Sequence, residues 1–317
     1  MYTQWIGDGL RMQRRLCHLG RELWSAKYIY VFLLPGLIYY GIFRYGPMYG
    51  LLMAFQDYNA RLGVMGSPWV GLKHFQRMFI TPNSISALVN TFVISFSRLL
   101  IEFPAPILLA LLLNEMRGRR MKRIYQTLFT FPHFLSWVIV SSILKTMLGN
   151  NGVVNALIAF FGGERVNFLA TPSLFRGILY ITSIWKEAGW SAILYIAAIA
   201  GVYPEYYEAA IVDGASRLQR IWHVTLPGIR PTIAVLFILS VGNVMNGGFD
   251  QIFNMRNGAV GRVADILDTY VYDITFKATP NYSFSTAVGM FKSVVNLAML
   301  LGANGVVKRL SGEGLLQ

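Results

Sequence analysis

The chain is poor in the residues from which most soluble active sites are built. Its single cysteine, Cys17, has no internal partner for a disulfide, and the four histidines, His18, His74, His133 and His223, are too scattered to suggest a metal cluster. These shortages exclude a disulfide scaffold and argue against a metalloenzyme. Charge is scarce as well: only 14% of residues are Asp, Glu, Lys or Arg, against roughly 25% in an average soluble domain. No Gly-Lys dipeptide occurs, so there is no phosphate-cradling Walker loop, and neither H-E-x-x-H nor G-x-S-x-G is present. The run Leu310-Ser311-Gly312-Glu313-Gly314 looks like an ATPase signature but has no nucleotide fold around it, so it reads as coincidence. The sequence therefore offers no catalytic residue and no metal ligand.

What the chain has in abundance is apolar length. Of its 317 residues 55% are hydrophobic, and the mean hydropathy is +0.47. That composition predicts an all-α, polytopic membrane protein. Residues 124–144 contain no Asp, Glu, Lys or Arg, and at 1.5 Å per residue they reach about 31 Å, close to the hydrocarbon thickness of a bilayer. Five more spans are expected near 28–50, 84–113, 176–202, 232–255 and 284–307, giving six. The N-terminal basic residues before the first run resemble a secretory signal, but Arg44-Tyr45-Gly46-Pro47 supplies no cleavage site, so the run reads as an uncleaved span. Val153–Phe161 is too short to span and reads as an interfacial helix in a loop.

The formal charge of +13 would suggest nucleic acid in a soluble protein. Here its distribution is topological. Fifteen Lys and Arg fall in the N-terminal tail, 114–123, 203–231 and the C-terminal end, against seven in the opposite loops. The positive-inside rule then places both termini in the cytoplasm of a multi-pass protein of the cell (inner, or cytoplasmic) membrane, in contact with membrane lipid and not with nucleic acid. The expected organisation is a basic tail 1–27, a permease domain 28–307 holding a cytoplasmic segment 204–227, and a tail 308–317.

Segment 204–227 carries the functional signal. Pro204 and Glu205 start a helix well, Gly214 stops it, a second short helix follows, and Pro227 ends it. Within it stand Glu208-Ala209-Ala210, then Asp213-Gly214, and, after nine intervening residues, Val224, Thr225 and Leu226-Pro227. This spacing resembles the EAA signature of permease subunits of binding-protein-dependent ABC importers, with Val224 where isoleucine is commonest. The likeness extends to Trp185–Tyr195, to Leu33-Leu34-Pro35-Gly36, to Ser67–Leu72 and to Phe291 through Gly314, as in the oligosaccharide branch related to the maltose-transporter permeases.

The resemblance implies a type I importer permease fold of six transmembrane helices with an EAA coupling helix docking in a groove of an ATPase subunit, so that ATP binding there drives alternating access. Glu208 would meet the ATPase surface, Ala209 and Ala210 would let the helix sit deep, and Gly214 would supply the turn. It also implies the partners: a homologous second permease subunit in a heterodimer, two ABC ATPase subunits that bind ATP and Mg, and an extracytoplasmic sugar-binding protein docking on loops 56–83 and 256–283. No cofactor is expected in this chain itself.

Transport sites lie near the midplane, so polar residues at span centres are the candidates. These are Ser136, beside His133, in the third span, Lys186, Glu187 and Trp190 in the fourth, and Ser240, Asn243, Asn246 and Gly247 in the fifth. Trp185 and Trp190 would stack on sugar rings or pack as ordinary aromatics. Gly247 and Gly248 would let the backbone approach a ligand or let the helix bend. Lys186 and Glu187 are adjacent, on different helix azimuths, which argues against mutual neutralisation. Arg98 and Glu102, spaced i, i+4, are expected to form an intramembrane ion pair. Lys145, Arg176 and Lys292 lie toward span ends and are expected to snorkel. Should Lys186, Arg98 and Lys292 face the path instead, an acidic oligosaccharide such as a uronate, alginate fragments for example, becomes the expected substrate. The alternative class is an ion-coupled secondary transporter. Its coupling carboxylates would have to be Glu102 and Glu187, and it leaves the EAA spacing unexplained.

Overall fold

The computed structural model describes residues 25–277 and 280–311. Most of the basic N-terminal tail and the end of the C-terminal tail lie outside the described residues. Among the described residues all regular structure is helical, apart from one isolated antiparallel bridge between Gln56 and Trp69. The chain divides into two compact units, 1–53 with 58–67, and 54–57 with 68–317.

The first unit contains helix α1, Lys27–Tyr40, prolonged by a π turn, Gly41–Tyr45, and a 3-10 stretch, Gly46–Phe55, that enters the second unit. No charged residue occurs between Lys27 and Arg44, so this helix is apolar on all faces, as a membrane span requires. Its loop is tied by Ser67, whose Oγ accepts from Asn59 N at 3.0 Å and donates to Gly63 O at 2.6 Å.

The second unit is a helical assembly. It comprises α2 (Lys73–Ile80), α3 (Pro82–Glu102), α4 (Pro104–Asn114), α5 (Arg119–Thr130), α6 (Trp137–Leu148) and α7 (Val153–Phe160). Then follow α8 (Pro172–Ala200), α9 (Pro204–Val212), α10 (Arg217–Arg220), α11 (Arg230–Gly242), α12 (Phe249–Met255), α13 (Leu267–Tyr272) and α14 (Tyr282–Ser311). Prolines open α3, α4, α8 and α9, where a missing N–H costs nothing. Helix α8 is the central post, packing on α3, α4 and α5, while α11 packs on α14. Three apolar clusters fill the unit, around Phe175 with Ile252, Met78 with Phe284, and Ala192 with Ile229.

Among the described residues three helical stretches, Lys27–Phe55, Pro82–Asn114 and Tyr282–Arg309, are long and apolar enough to cross a membrane, or five if each of two bent pairs makes one span. The first bent pair and a separate gap after Gly242 correct two expectations of continuous spans, while the second bent pair, Arg217–Gly228 with Arg230–Gly242, turns by 63° at the entry to α11. Segment 124–144 breaks by 99° between Phe134 and Trp137, because Pro132 lacks an N–H and Ser136 caps a new helix, its Oγ accepting from Ile139 N at 3.3 Å. Segment 232–255 leaves the helix after Gly242 and resumes at Phe249, with Gly248 in the left-handed region at φ 82°. Helix α8 is not among the three; at 29 residues it is long enough, but it carries Arg176, Lys186 and Glu187.

Candidate functional site

The segment between α8 and α11 folds as a compact knob. Helix α9 ends in a Schellman arrangement: Ala215 N donates to Ala210 O at 2.9 Å and Gly214 N to Ile211 O at 3.0 Å. Gly214 adopts φ 77°, which only glycine takes freely. Ser216 then caps α10 in a reciprocal box with Gln219. A π turn, Ile221–Thr225, and a short turn, Leu226–Gly228, complete the second helix, so it continues four residues past Val224 and runs through Pro227 instead of ending there. Tyr207 pins the two helices together through its hydroxyl, 3.0 Å from Thr225 Oγ1.

Within this knob Glu208, Ala209, Asp213, Gly214 and Pro227 are exposed, and Ala210, Val224 and Leu226 are half-buried. Leu226 packs inward on the cluster around Ile229 and Val202. Tyr206, Ile211, Val212, Leu218 and Trp222 stay exposed. An apolar surface of this extent is unusual on a free-standing knob and suits contact with another protein.

The second feature is a cavity of about 330 Å³ among α3, α4, α8 and α11 with the stretch after it. Of the residues expected on the path, Glu187, Ser240, Asn243, Asn246 and Gly247 line it. Ser136, Lys186 and Trp190 do not. Ser136 spends its hydroxyl as the cap of α6. Trp190 stacks flat on His133, with ring centroids 4.6 Å apart and planes 3° from parallel.

Lys186 is buried and meets Glu187 after all. Its Nζ donates to Glu187 Oε1 at 2.8 Å and to His133 O at 2.9 Å. The azimuth argument failed because both side chains are long enough to turn toward the same break, where His133 O has lost its helical partner. His133 Nδ1 lies 2.6 Å from Glu187 Oε2. The carboxylate at the cavity wall is thus held from behind by a lysine and a histidine.

Arg98 and Glu102 also line the cavity. Their Nε and Oε1 are 3.5 Å apart, a weak contact reinforced sideways. Ser183 Oγ donates to Glu102 Oε2 at 2.9 Å, and Arg98 donates to Gln251, which donates to Leu179 O and Thr182 Oγ1, both at 2.8 Å. Arg98 Nε and Glu102 Oε1 are buried facing one another, beyond hydrogen-bond geometry but close enough to pair as charges. Gly248 makes room for the guanidinium: a Cβ there would lie 2.8 Å from Arg98 Cζ. Gln251 was not singled out from sequence; a buried amide in a spanning segment is the signal that would have found it.

Of the three basic residues expected to snorkel, two are engaged inside the protein. Lys145 is exposed, whereas Arg176 donates to Asn90 Oδ1 at 2.7 Å and Val263 O at 3.1 Å. Lys292 is buried, with Nζ 2.5 Å from Asp268 Oδ1. At the loop before α13, Arg256 bridges Asp265 at 2.7 Å and Asp273 at 2.8 Å. Burial pushes the Asp273 carboxyl up, but the hydrogen bonds from Arg256 and Lys277 outweigh it and hold the group below the usual carboxylate range. On the other loop, the Lys73 ammonium likewise holds Asp57 low through a 2.7 Å hydrogen bond.

Residues 102–312 match the family described as binding-protein-dependent transport system inner membrane component. The chain is 48% identical over 295 residues, 93% of its length and 92% of the relative's, to the polygalacturonan/rhamnogalacturonan transport system permease protein YteP of Bacillus subtilis (strain 168). It is 49% identical over 292 residues, 91% of each chain, to protein LplB of the same organism. Among solved structures it is similar to a chain of a bacterial ABC transporter involved in the import of the acidic polysaccharide alginate, with TM-score 0.86 and 39% identity, covering 93% of this chain and 99% of that one. The alginate transporter bound to an alginate pentasaccharide-loaded periplasmic protein gives TM-score 0.85.

Proposed function

This chain belongs to the family of binding-protein-dependent transport system inner membrane components, and from that premise we propose that it is half of the translocation pore of an ATP-driven importer for acidic oligosaccharides. It is a membrane-embedded permease of a sugar ABC importer. The second half of the pore is a homologous permease subunit, and two ATPase subunits supply ATP and Mg chemistry that this chain does not hold. A binding protein delivers the sugar to the outer loops, where the Arg256 network stands ready as a rigid platform. Both termini face the cytoplasm of the inner membrane.

The knob built on Glu208, Ala209, Ala210 and Gly214 is the coupling element. Its small residues let an ATPase groove approach the α9 backbone, and its Schellman turn makes it stiff enough to be pushed as a body.

One observation carries the acidic substrate: Arg98, a cation held by Glu102 and Gln251, lines the cavity. Asn243, Asn246 and Ser240 add hydroxyl-matching groups around it. Galacturonan and alginate, named for the relative and the structural neighbour, share a carboxylate on the sugar ring, the chemistry that a guanidinium selects.

The test is ATP hydrolysis by the complete complex in lipid, with binding proteins loaded with neutral or uronate oligosaccharides. Stimulation by the uronate-loaded protein, lost in Gly214→Val, is the expected result. Uptake that follows an ion gradient without any ATPase would overturn it and favour the secondary transporter.

A further inference from the structure

A second cavity of about 270 Å³ adjoins the first at Asn246, which lines both. Its polar wall comes from Asp268 on α13 and from Ser285, Lys292, Ser293 and Asn296 on α14. Lys292 is 8% exposed and makes one hydrogen bond among the described residues, to Asp268 Oδ1. An ammonium has three donors, so two remain for whatever enters. Asn296 is fixed in place because its Oδ1 accepts from Met245 N at 3.0 Å, at the point where the fifth expected span is off-helix.

A buried ion pair is a poor stabiliser; apolar residues of the same size often serve as well or better. An intramembrane lysine on a cavity wall therefore calls for a functional account. The first cavity repeats the design, with the Arg98 cation held by the resident Glu102 carboxylate. We infer that the second cavity is a further subsite for the same oligosaccharide, in which Lys292 takes the carboxylate of a second uronate unit and Asp268 is its counter-ion when the subsite is empty. The inference rests on the acidic-substrate reading above. The resident carboxylate keeps the cation paired in the empty pore and competes with the substrate, so that the sugar can leave as well as enter.

The experiment uses the complete complex in proteoliposomes with its loaded binding protein. The probes are a trigalacturonate and its carboxyl-reduced, neutral counterpart. The variants are Lys292→Met combined with Asp268→Leu, which leaves no unpaired buried charge, Lys292→Arg, and Ser293→Phe, which fills the cavity without touching the ion pair. The acidic-to-neutral uptake ratio should fall about tenfold in the double variant, as expected for loss of a charged hydrogen bond. Lys292→Arg should keep the ratio within about threefold. Ser293→Phe should lower uptake of the trigalacturonate, and it keeps the inference open to refutation if the double variant fails to assemble. An assembled double variant with the wild-type ratio, or unimpaired trigalacturonate uptake by Ser293→Phe, overturns the subsite alone. A wild-type complex that takes up only the neutral sugar overturns the acidic-substrate reading and the subsite with it.

Discussion

Gly189 offers a direct test of how closely α5 and α8 pack. A Cβ added there would lie 2.7 Å from Thr130 N and closer still to the Phe129 carbonyl carbon and oxygen. All three are main-chain atoms, so no rotamer change relieves the clash, and from the 2.1 Å to Phe129 O the helices must part by about 1.4 Å before contact distances of about 3.5 Å return. Overpacking of this kind costs about 1–3 kcal/mol, and the upper half applies where backbone meets backbone. Against it stands the gain from replacing glycine by alanine within a helix, about 0.5–1 kcal/mol. Gly177 isolates that gain, since it sits in the same helix with nothing within 4 Å of an added Cβ. Thermal denaturation of the complex in lipid nanodiscs should therefore show Gly177→Ala at or above wild type. Gly189→Ala should lie below it by roughly 2–8 °C. The variant should also slow uptake, because the His133–Trp190 stack and the Lys186–His133 contact cross the same interface. A Gly189→Ala complex as stable as Gly177→Ala, with normal uptake, would refute the close approach.

Three further outcomes are expected. Gly214→Val places a branched residue at φ 77°, at a cost of about 1–2 kcal/mol to the turn; ATP hydrolysis should persist but stop responding to loaded binding protein, and uptake should be lost. Asn243→Ala and Asn246→Ala should each lower kcat/KM for uptake about 3–10-fold for neutral and acidic sugars alike, with assembly unchanged on size-exclusion chromatography. Because the folded Asp273 carboxyl is held below the ordinary carboxylate value of 3.8, its contribution to loop stability is fully present above about pH 4 and is lost as pH falls through the folded value. Hydrogen exchange in 256–277 should then be unaffected from pH 8 to 5 beyond the intrinsic rate, and protection should drop in stronger acid. Asp273→Asn should abolish that acid step.

Hydrophobic length was enough to locate the long helices Lys27–Phe55, Pro82–Asn114 and Tyr282–Arg309, because burying an apolar helix in lipid demands about twenty residues with few charges. It could not reveal where those helices break. Segment 124–144 appeared the surest span because it has no formal charge, yet Pro132 and Ser136 interrupt it at no cost in mean hydropathy. The knob was legible almost residue by residue, since Pro204, Gly214 and Ser216 act locally, through caps and a left-handed turn. The cavity was legible only in composition. Midspan polarity picked out Glu187, Asn243 and Asn246, but helix rotation, set by contacts distant in sequence, turned Ser136, Lys186 and Trp190 away from it. Gln251 and the pairing of Lys292 with Asp268 depend on neighbours 72 and 24 residues away, beyond any local pattern.

The stretch from Asn243 to Gly248 interrupts a spanning segment beside both cavities. Its main-chain amides are engaged within the protein, Asn243 N with Ser240 O, Val244 N with Val241 O, Asn246 N with Asn243 O, Gly248 N with Asn246 O and Met245 N with Asn296 Oδ1, so the shape of the stretch is held mainly by its backbone and not by the side chains of Asn243 and Asn246. Under the proposed function, Asn243 or Asn246 can be exchanged to suit a different sugar while the backbone-held break beside the cavities persists. Substrate range in such a protein is then free to drift by a few substitutions, without the fold having to be solved again.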